Sequence, residues 1–293
     1  MVKVTFSILC FNYGQYLPQA IMSCMEQRSD GVECEILVID DGSTDTTKEV
    51  CEYFKDEIRV ISEGNKGFPA SLTRAITCAN GDFVFLLDAD DYFLDGKLSA
   101  CLPYLQSGKL FVCDQIYPQY EPEEATTNKH SGGSTSTLAI NRKAALDIFP
   151  IENELSLHVL EQMGHGVRLN DAYTIYRYHD KSMTNRKEPG KQNAYLAGVT
   201  HRLADRIEAL IVQNDYPVWF MPIKKAQKVA SMYRALAYYN ELEAALEQKM
   251  VSSAYDACKC MLKHALKSSS GIGTFQLKMI IRTILMRPSF KKY

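Results

Sequence analysis

The sequence predicts an α/β fold: a mostly parallel sheet covered by helices on both faces, followed by an all-helical extension. Three observations predict it. The first half alternates short apolar runs with helical patterns. That rhythm of strand, helix, strand defines a sheet buried on both sides. After about residue 188 only helical periods remain, with no clear strand.

The elements follow in order. "VTFSILCF" reads as a buried strand, and "QYLPQAIMSCMEQ" as a helix with Pro18 tolerated in its first turn. "EILVID" is a second strand that ends at Asp40, Asp41 and Gly42. "STDTTKEVCEYFK" opens with capping residues and continues as a helix. "IRVIS" is a third strand. "GFPASLTRAITCANG" is helical, with Leu72, Ala75, Ile76 and Ala79 on one face and Gly81 as a stop. "DFVFLLD" is a fourth strand, "GKLSACLPYLQSG" a short helix and "LFVCDQIY" a further strand. Residues 118–137 are polar and rich in Pro, Gly, Ser and Thr, which predicts a long functional or mobile loop. "LAINRKAALDIF" and "ENELSLHVLEQMG" read as helices, and "VRLND" and "AYTIYRYH" as two strands. Residues 224–267 have the pattern of a helical hairpin.

Bulk properties narrow the function. The chain has 293 residues and a formal net charge of -2 at pH 7, so it lacks the basic excess that nucleic acid demands. A hydrophobic fraction of 46% is enough for a sizeable core. The nine cysteines sit in apolar segments without metal spacing, as free thiols of a reducing compartment do. No signal peptide or spanning apolar run is legible, so the expected location is cytoplasmic.

Ligands of parallel α/β sheets bind at the carboxyl ends of the strands. Four consecutive strands end there in ligand-type residues: Asn12 and Tyr13, Asp40 and Asp41, Asn65 to Gly67, and Asp88 to Asp91. The last group, in "VFLLDADDYF", places three like charges directly after a buried strand. Each carboxylate repels the others and loses hydration. A solvated acidic loop fits poorly behind "VFLL". A calcium loop fails, because Tyr92 and Phe93 stand where an oxygen ligand and a glycine are needed. A phosphatase with an aspartyl nucleophile normally carries its Asp-x-Asp on the first strand. The remaining reading is a divalent cation, Mn2+ or Mg2+, shared between carboxylate and diphosphate oxygens. No G-x-G-x-x-G and no P-loop is present.

The order "SILCFNYGQYLPQAIMS", "EILVIDDGSTDTT", "NKGFPASLTRAITCANGDFVFLLDADDYF" resembles a family 2 glycosyltransferase of GT-A fold. The resemblance covers residues 3–105 closely and continues more loosely through "STLAINRKAALDIFPI" and "YRYHDKSMT". It implies an inverting transfer of sugar from a nucleoside-diphosphate sugar, of the UDP type, to a glycan or lipid-linked acceptor. It implies that Phe11, Asn12, Tyr13, Asp40 and Asp41 hold the base, and that Asn65, Lys66 and Gly67 lie against the nucleoside. Asp88, Ala89 and Asp90 would be the DXD motif, with Asp90 and Asp88 toward the metal and Asp91 beside them. His179 would be a further metal or diphosphate contact, and Arg177 either a phosphate contact or a surface arginine.

The family commonly opens an acceptor-side helix with Glu-Asp, whose Asp is the general base. Here the stretch is "PIENELSLHVLEQMG" and has no Asp. Glu152 or Glu154 takes the role, or each is an ordinary acid at a helix N-terminus. That departure keeps two rivals open: a catalytically inactive GT-A binding protein and, further off, the phosphatase. The expected organisation is a GT-A domain over 1–188, with a nucleotide-sugar half of about 1–117 and an acceptor half of about 118–188. A helical extension covers 189–293. Its end, "FQLKMIIRTILMRPSFKKY", has the composition of a basic amphipathic helix, which either lies at an anionic membrane or packs on the extension. Oligomeric state, sugar and linkage are not legible.

Overall fold

A computed structural model describes residues 1–120, 123–148, 150–180, 182 and 190–268. The chain divides into two compact units, Met1–Ser182 and Met183–Tyr293.

The first unit begins with β1 (Val2–Cys10), α1 (Leu17–Met25), β2 (Val32–Asp40), α2 (Thr47–Tyr53), β3 (Arg59–Ser62), α3 (Phe68–Thr77) and β4 (Phe83–Asp88). It continues with β5 (Tyr92–Phe93), α4 (Lys97–Gln106), β6 (Phe111–Tyr120), β7 (Leu138–Asn141), α5 (Arg142–Leu146), α6 (Glu154–Leu160) and β8 (Gly166–Tyr178). One eight-stranded sheet runs in the order β3-β2-β1-β4-β7-β6-β8-β5. Parallel pairs join β1 to β2 and β4, β2 to β3, and β6 to β8. β7 runs antiparallel to β4 and β6, and β5 antiparallel to β8. The sheet is therefore mostly parallel, with two short strands opposed.

The central strands are buried on both faces. The last seven residues of β1 are all buried, as are the first five of β4. Phe6 lies 5.3 Å from the Phe85 ring and 6.1 Å from Phe93, in tilted contacts that anchor the core. Burying each of these rings is worth about 1.5–3 kcal/mol. α1 carries Pro18 in its first turn, where no helical N–H is lost. A fully buried ion pair fixes α4 to the sheet. Lys97 Nζ donates to Asp114 Oδ1, to the Thr137 carbonyl at 3.2 Å and to Thr174 Oγ at 3.3 Å.

Three local expectations are corrected. "LAIN" is not helical: it is β7, inserted between β4 and β6, and only the following five residues form α5. "VRLND" and "AYTIYRYH" are one strand, β8, whose register against β6 shifts near Gln115. The loop expected over 118–137 is shorter, because β6 runs to Tyr120 and residues 135–137 form a 3-10 turn.

The second unit holds α7 (Lys191–Gln213), α8 (Ile223–Glu247) and α9 (Val251–Ser268). α8 and α9 form a hairpin, with Leu242, Ala245, Ala254, Ala257 and Met261 buried together. Gly190 N donates to Glu247 Oε2 at 2.6 Å and ties the start of α7 to the end of α8. The basic helix read over 274–293 lies outside the described residues. Among the described residues no helix is long and apolar enough to cross a membrane. All nine cysteines are free thiols.

Candidate active site

Register brings the strand ends to one edge. Cys10 pairs with Asp40, Asp40 with Ser62, and Leu9 with Asp88. The chain leaves β1 through Phe11, which is exposed, and Asn12, whose φ of 58° is left-handed. Asn tolerates that conformation because its side chain bonds locally. Here Asn12 Oδ1 accepts from Thr44 N at 2.8 Å, and Asn12 N donates to Ser43 Oγ at 2.9 Å. The first two loops are thus laced together.

Asp40 is buried and accepts from Ser43 N at 2.9 Å and Ser62 Oγ at 2.8 Å. Asp41 is buried too and accepts from Lys66 N and Gly67 N, both at 2.8 Å. It braces the Asn65–Gly67 loop against β2. Gly42 makes that contact possible: its φ is 79°, and a Cβ there would lie 2.7 Å from Asn65 N. Cys10 is not a nucleophile, because burial pushes its thiol up to about 12.

The acidic end of β4 is more tightly organised. Ser136 Oγ donates to Asp91 Oδ2 at 2.5 Å and accepts from Asp88 N at 3.0 Å. Asp91 Oδ1 accepts from Arg177 N at 2.9 Å. Asp91 is 1% exposed, so it lies beneath the site and holds the turn. Asp90 turns the other way. Its Oδ2 lies 3.1 Å from His179 Nε2, and the Tyr13 phenol donates to the same carboxylate. Tyr16 stacks on the His179 ring at 4.8 Å and Tyr13 meets it edge-on at 5.6 Å. His179 Nδ1 is buried without a hydrogen-bond partner among the described residues. Ala89 is fully buried, so Asp88 and Asp90 face the site across a residue that packs inward.

Electrostatics follow the crowding. Burial, then the charges of Asp90, Asp91 and Glu154, push Asp88 well above the usual carboxylate range. Burial and Asp90 do the same to Asp91, against the donations of Ser136 and Arg177. Burial, then Asp90 and Asp88, raise the Tyr13 phenol, which stays protonated as a donor.

The two candidate bases separate. Glu154 is the first residue of α6, capped by Asn153 Oδ1 on Leu155 N at 3.1 Å. It interacts electrostatically with Asp88, and burial raises its carboxyl, with its own backbone amide and His158 pulling down. Glu152 precedes the helix, and its N–H donates to Ser156 Oγ at 3.4 Å. His158, one turn after Glu154, faces Glu161 Oε2 and the Gly133 carbonyl, each at 3.0 Å.

Sequence reasoning missed Ser136, Tyr16 and Gln19. Arg177, expected as a phosphate contact or a surface arginine, is not at the surface. It is 4% exposed, its guanidinium lies 5.2 Å from the Tyr16 ring centre and 4.6 Å from that of Tyr92, and it donates to the Asp90 carbonyl and to Gln19 Oε1.

A mostly parallel sheet whose loops gather acids at one edge, with helices packed on it, defines a GT-A-type fold. Solved structures share it. S. aureus TarS 1–349 in complex with UDP-GlcNAc superposes with a TM-score of 0.59 at 16% identity, over 87% of this chain and 90% of that one. Mannosyltransferase PcManGT from Pyrobaculum calidifontis, in complex with GDP-Man and Mn2+, gives 0.53 at 16%, over 97% and 81%. The sequence profile described as "Glycosyl transferase family 2" matches residues 5–155, and the chain belongs to that family. An uncharacterised glycosyltransferase of Nostoc sp. is 28% identical over 177 residues, 52% of this chain and 54% of that protein. The chain spans about half the length of the curated relatives it matches.

Proposed function

We propose that the protein is an inverting, divalent-metal-dependent glycosyltransferase that moves a sugar from a nucleoside-diphosphate sugar, of the UDP type, to an acceptor hydroxyl. The observation that carries this is the convergence of Asp88 and Asp90 from the end of β4, Tyr13 from the end of β1 and His179 from the end of β8. The nucleotide sugars and Mn2+ bound by the two solved neighbours support it.

The residues present fit a metal. Three carboxylates crowd together, two of them held above their ordinary range, and a buried imidazole nitrogen lacks a partner. Asp90 and His179 would hold the ion, with Asp88 beside them. Among the described residues no three acids, histidines or cysteines are gathered to hold a metal by themselves. Diphosphate oxygens and water complete the shell in such sites. When bound, the cation neutralises charge developing on the leaving diphosphate.

The protein's own groups supply the rest. Residues 11–13, Asp40, Asp41 and the Asn65–Gly67 loop form the base and nucleoside side. Glu154 takes the proton of the attacking hydroxyl, and its raised carboxyl suits a base working near neutral pH. The sugar is attacked from the face opposite the diphosphate, which inverts the anomeric centre. Asp91, Ser136 and Arg177 hold the turn that aims Asp90. The setting is synthesis of a surface glycan on the cytoplasmic side, with a glycan or lipid-linked acceptor. The basic tail over 274–293 either contacts an anionic membrane peripherally or packs on the helical extension.

Mass spectrometry of products from a panel of nucleotide sugars, with Mn2+ or with chelator, tests the proposal. Metal-dependent transfer is the expected result. Nucleotide binding without turnover would mean an inactive binding protein, and free phosphate a phosphatase.

A further inference from the structure

β6 and β8 run side by side to the edge where the acids gather. Their register sets Tyr120 opposite Tyr178 and Pro118 opposite Tyr176. The Tyr120 and Tyr178 rings stack at 4.8 Å with 12° between their planes. Tyr176 continues the row, 4.9 Å from Tyr178 and tilted by 57°. Tyr120 is 46% exposed and the other two are half-buried. Three neighbouring aromatic rings at a wet strand end form an apolar cluster edged with hydroxyls.

The row leads into the site. Tyr178 directly precedes His179, which meets Asp90. Between the tyrosines, Arg177 projects from the alternate position of the strand and is buried against Tyr16 and Tyr92.

We infer that Tyr120, Tyr178 and Tyr176 form the acceptor subsite and take a hexopyranose ring, its C–H face against the rings and its hydroxyls toward the phenols. A pyranose is amphipathic in the same sense as this surface: one face of C–H bonds, with polar groups around the rim. A lipid chain would match an aliphatic groove without hydroxyls. The inference rests on the transferase reading, because it assigns the row to the acceptor side of that reaction.

The test is saturation-transfer difference NMR on the full chain. The probes are the methyl pyranosides of glucose, galactose, mannose and N-acetylglucosamine, each with and without UDP and Mn2+. Calorimetry with UDP runs in parallel. At least one pyranoside should show saturated ring C–H protons, and UDP should leave that signal in place. Tyr120→Ala and Tyr178→Ala should weaken pyranoside binding by about fivefold, and Tyr178→Phe, which keeps the ring, should retain it. The alanine variants should keep UDP affinity and melting temperature. Saturation that ignores both alanine variants, saturation displaced by UDP, or no saturation from any probe overturns the subsite while UDP binding leaves the transferase reading standing. Wild-type protein that binds no nucleotide sinks that reading, and the acceptor assignment with it.

Discussion

His179 Nε2 stands 3.1 Å from Asp90 Oδ2, although the two residues are 89 positions apart in the chain. One group follows the fourth strand and the other the eighth, so the pair exists only when both strands are in place. Asp90→Asn and His179→Ala should each weaken Mn2+-dependent UDP binding about tenfold or more, with little change in melting temperature. Calorimetry in Mn2+ and in chelator measures this. If both variants bind UDP as the wild type does in Mn2+, the pair is not the metal site.

Glu154 and Glu152 are separable by rate. Glu154→Gln should lower kcat by about 10²–10⁴-fold and leave UDP affinity alone, as a group that acts on the attacking hydroxyl does. Glu152→Gln should spare kcat. A base must be ionised, and burial raises Glu154. Activity should therefore fall on the acid side, with its midpoint above the ordinary carboxylate range. A wild-type rate for Glu154→Gln would place the base elsewhere.

Asp88 should cost stability at neutral pH. Its folded carboxyl is raised, chiefly by burial and then by Asp90. A raised carboxyl favours the folded state below its unfolded value of about 4 and loses that advantage as pH rises through the folded value. Asp88→Asn should thus raise the melting temperature at pH 7, and the gain should vanish near pH 4. An equal gain at both pH values would mean that the effect is not electrostatic.

The Lys97–Asp114 pair should be strongly asymmetric. Lys97→Met alone leaves a buried carboxylate without its cation and should cost about 3–5 kcal/mol in urea unfolding. Adding Asp114→Leu should recover much of that loss, because two apolar side chains then replace two buried charges. A double variant no more stable than Lys97→Met would show that Asp114 supports the sheet mainly through Tyr173 N and Thr174 Oγ, its other donors.

The parallel half of the fold was legible because each of its strands is a compact apolar run between helical patterns. β7 was not, because its four residues continue in phase into the α5 pattern. β8 was split at Asn170 and Asp171, which are exposed where the strand loses register with β6. In the site, the acids announced themselves as like charges behind buried strands. Ser136 did not: it lies among Gly, Ser and Thr residues whose composition signals a loop, and only the fold carries it between Asp88 and Asp91. Arg177 was equally opaque, because nothing local reveals that Tyr16 and Tyr92 will close over it.

Asp41 grips the loop of residues 65–67 through two backbone N–H groups and no side chain of that loop. A grip on the main chain is indifferent to what the loop carries. Lys66 is therefore free to drift over generations while the loop keeps its place, whereas Asn65 also holds the loop, its Oδ1 accepting from Gly67 N at 3.1 Å. Asp41 and Gly42, which supply the grip and the clearance, are not free to drift. Under the proposed nucleoside role of that loop, the lineage of this chain can retune recognition at one strand end without rebuilding the sheet beneath it.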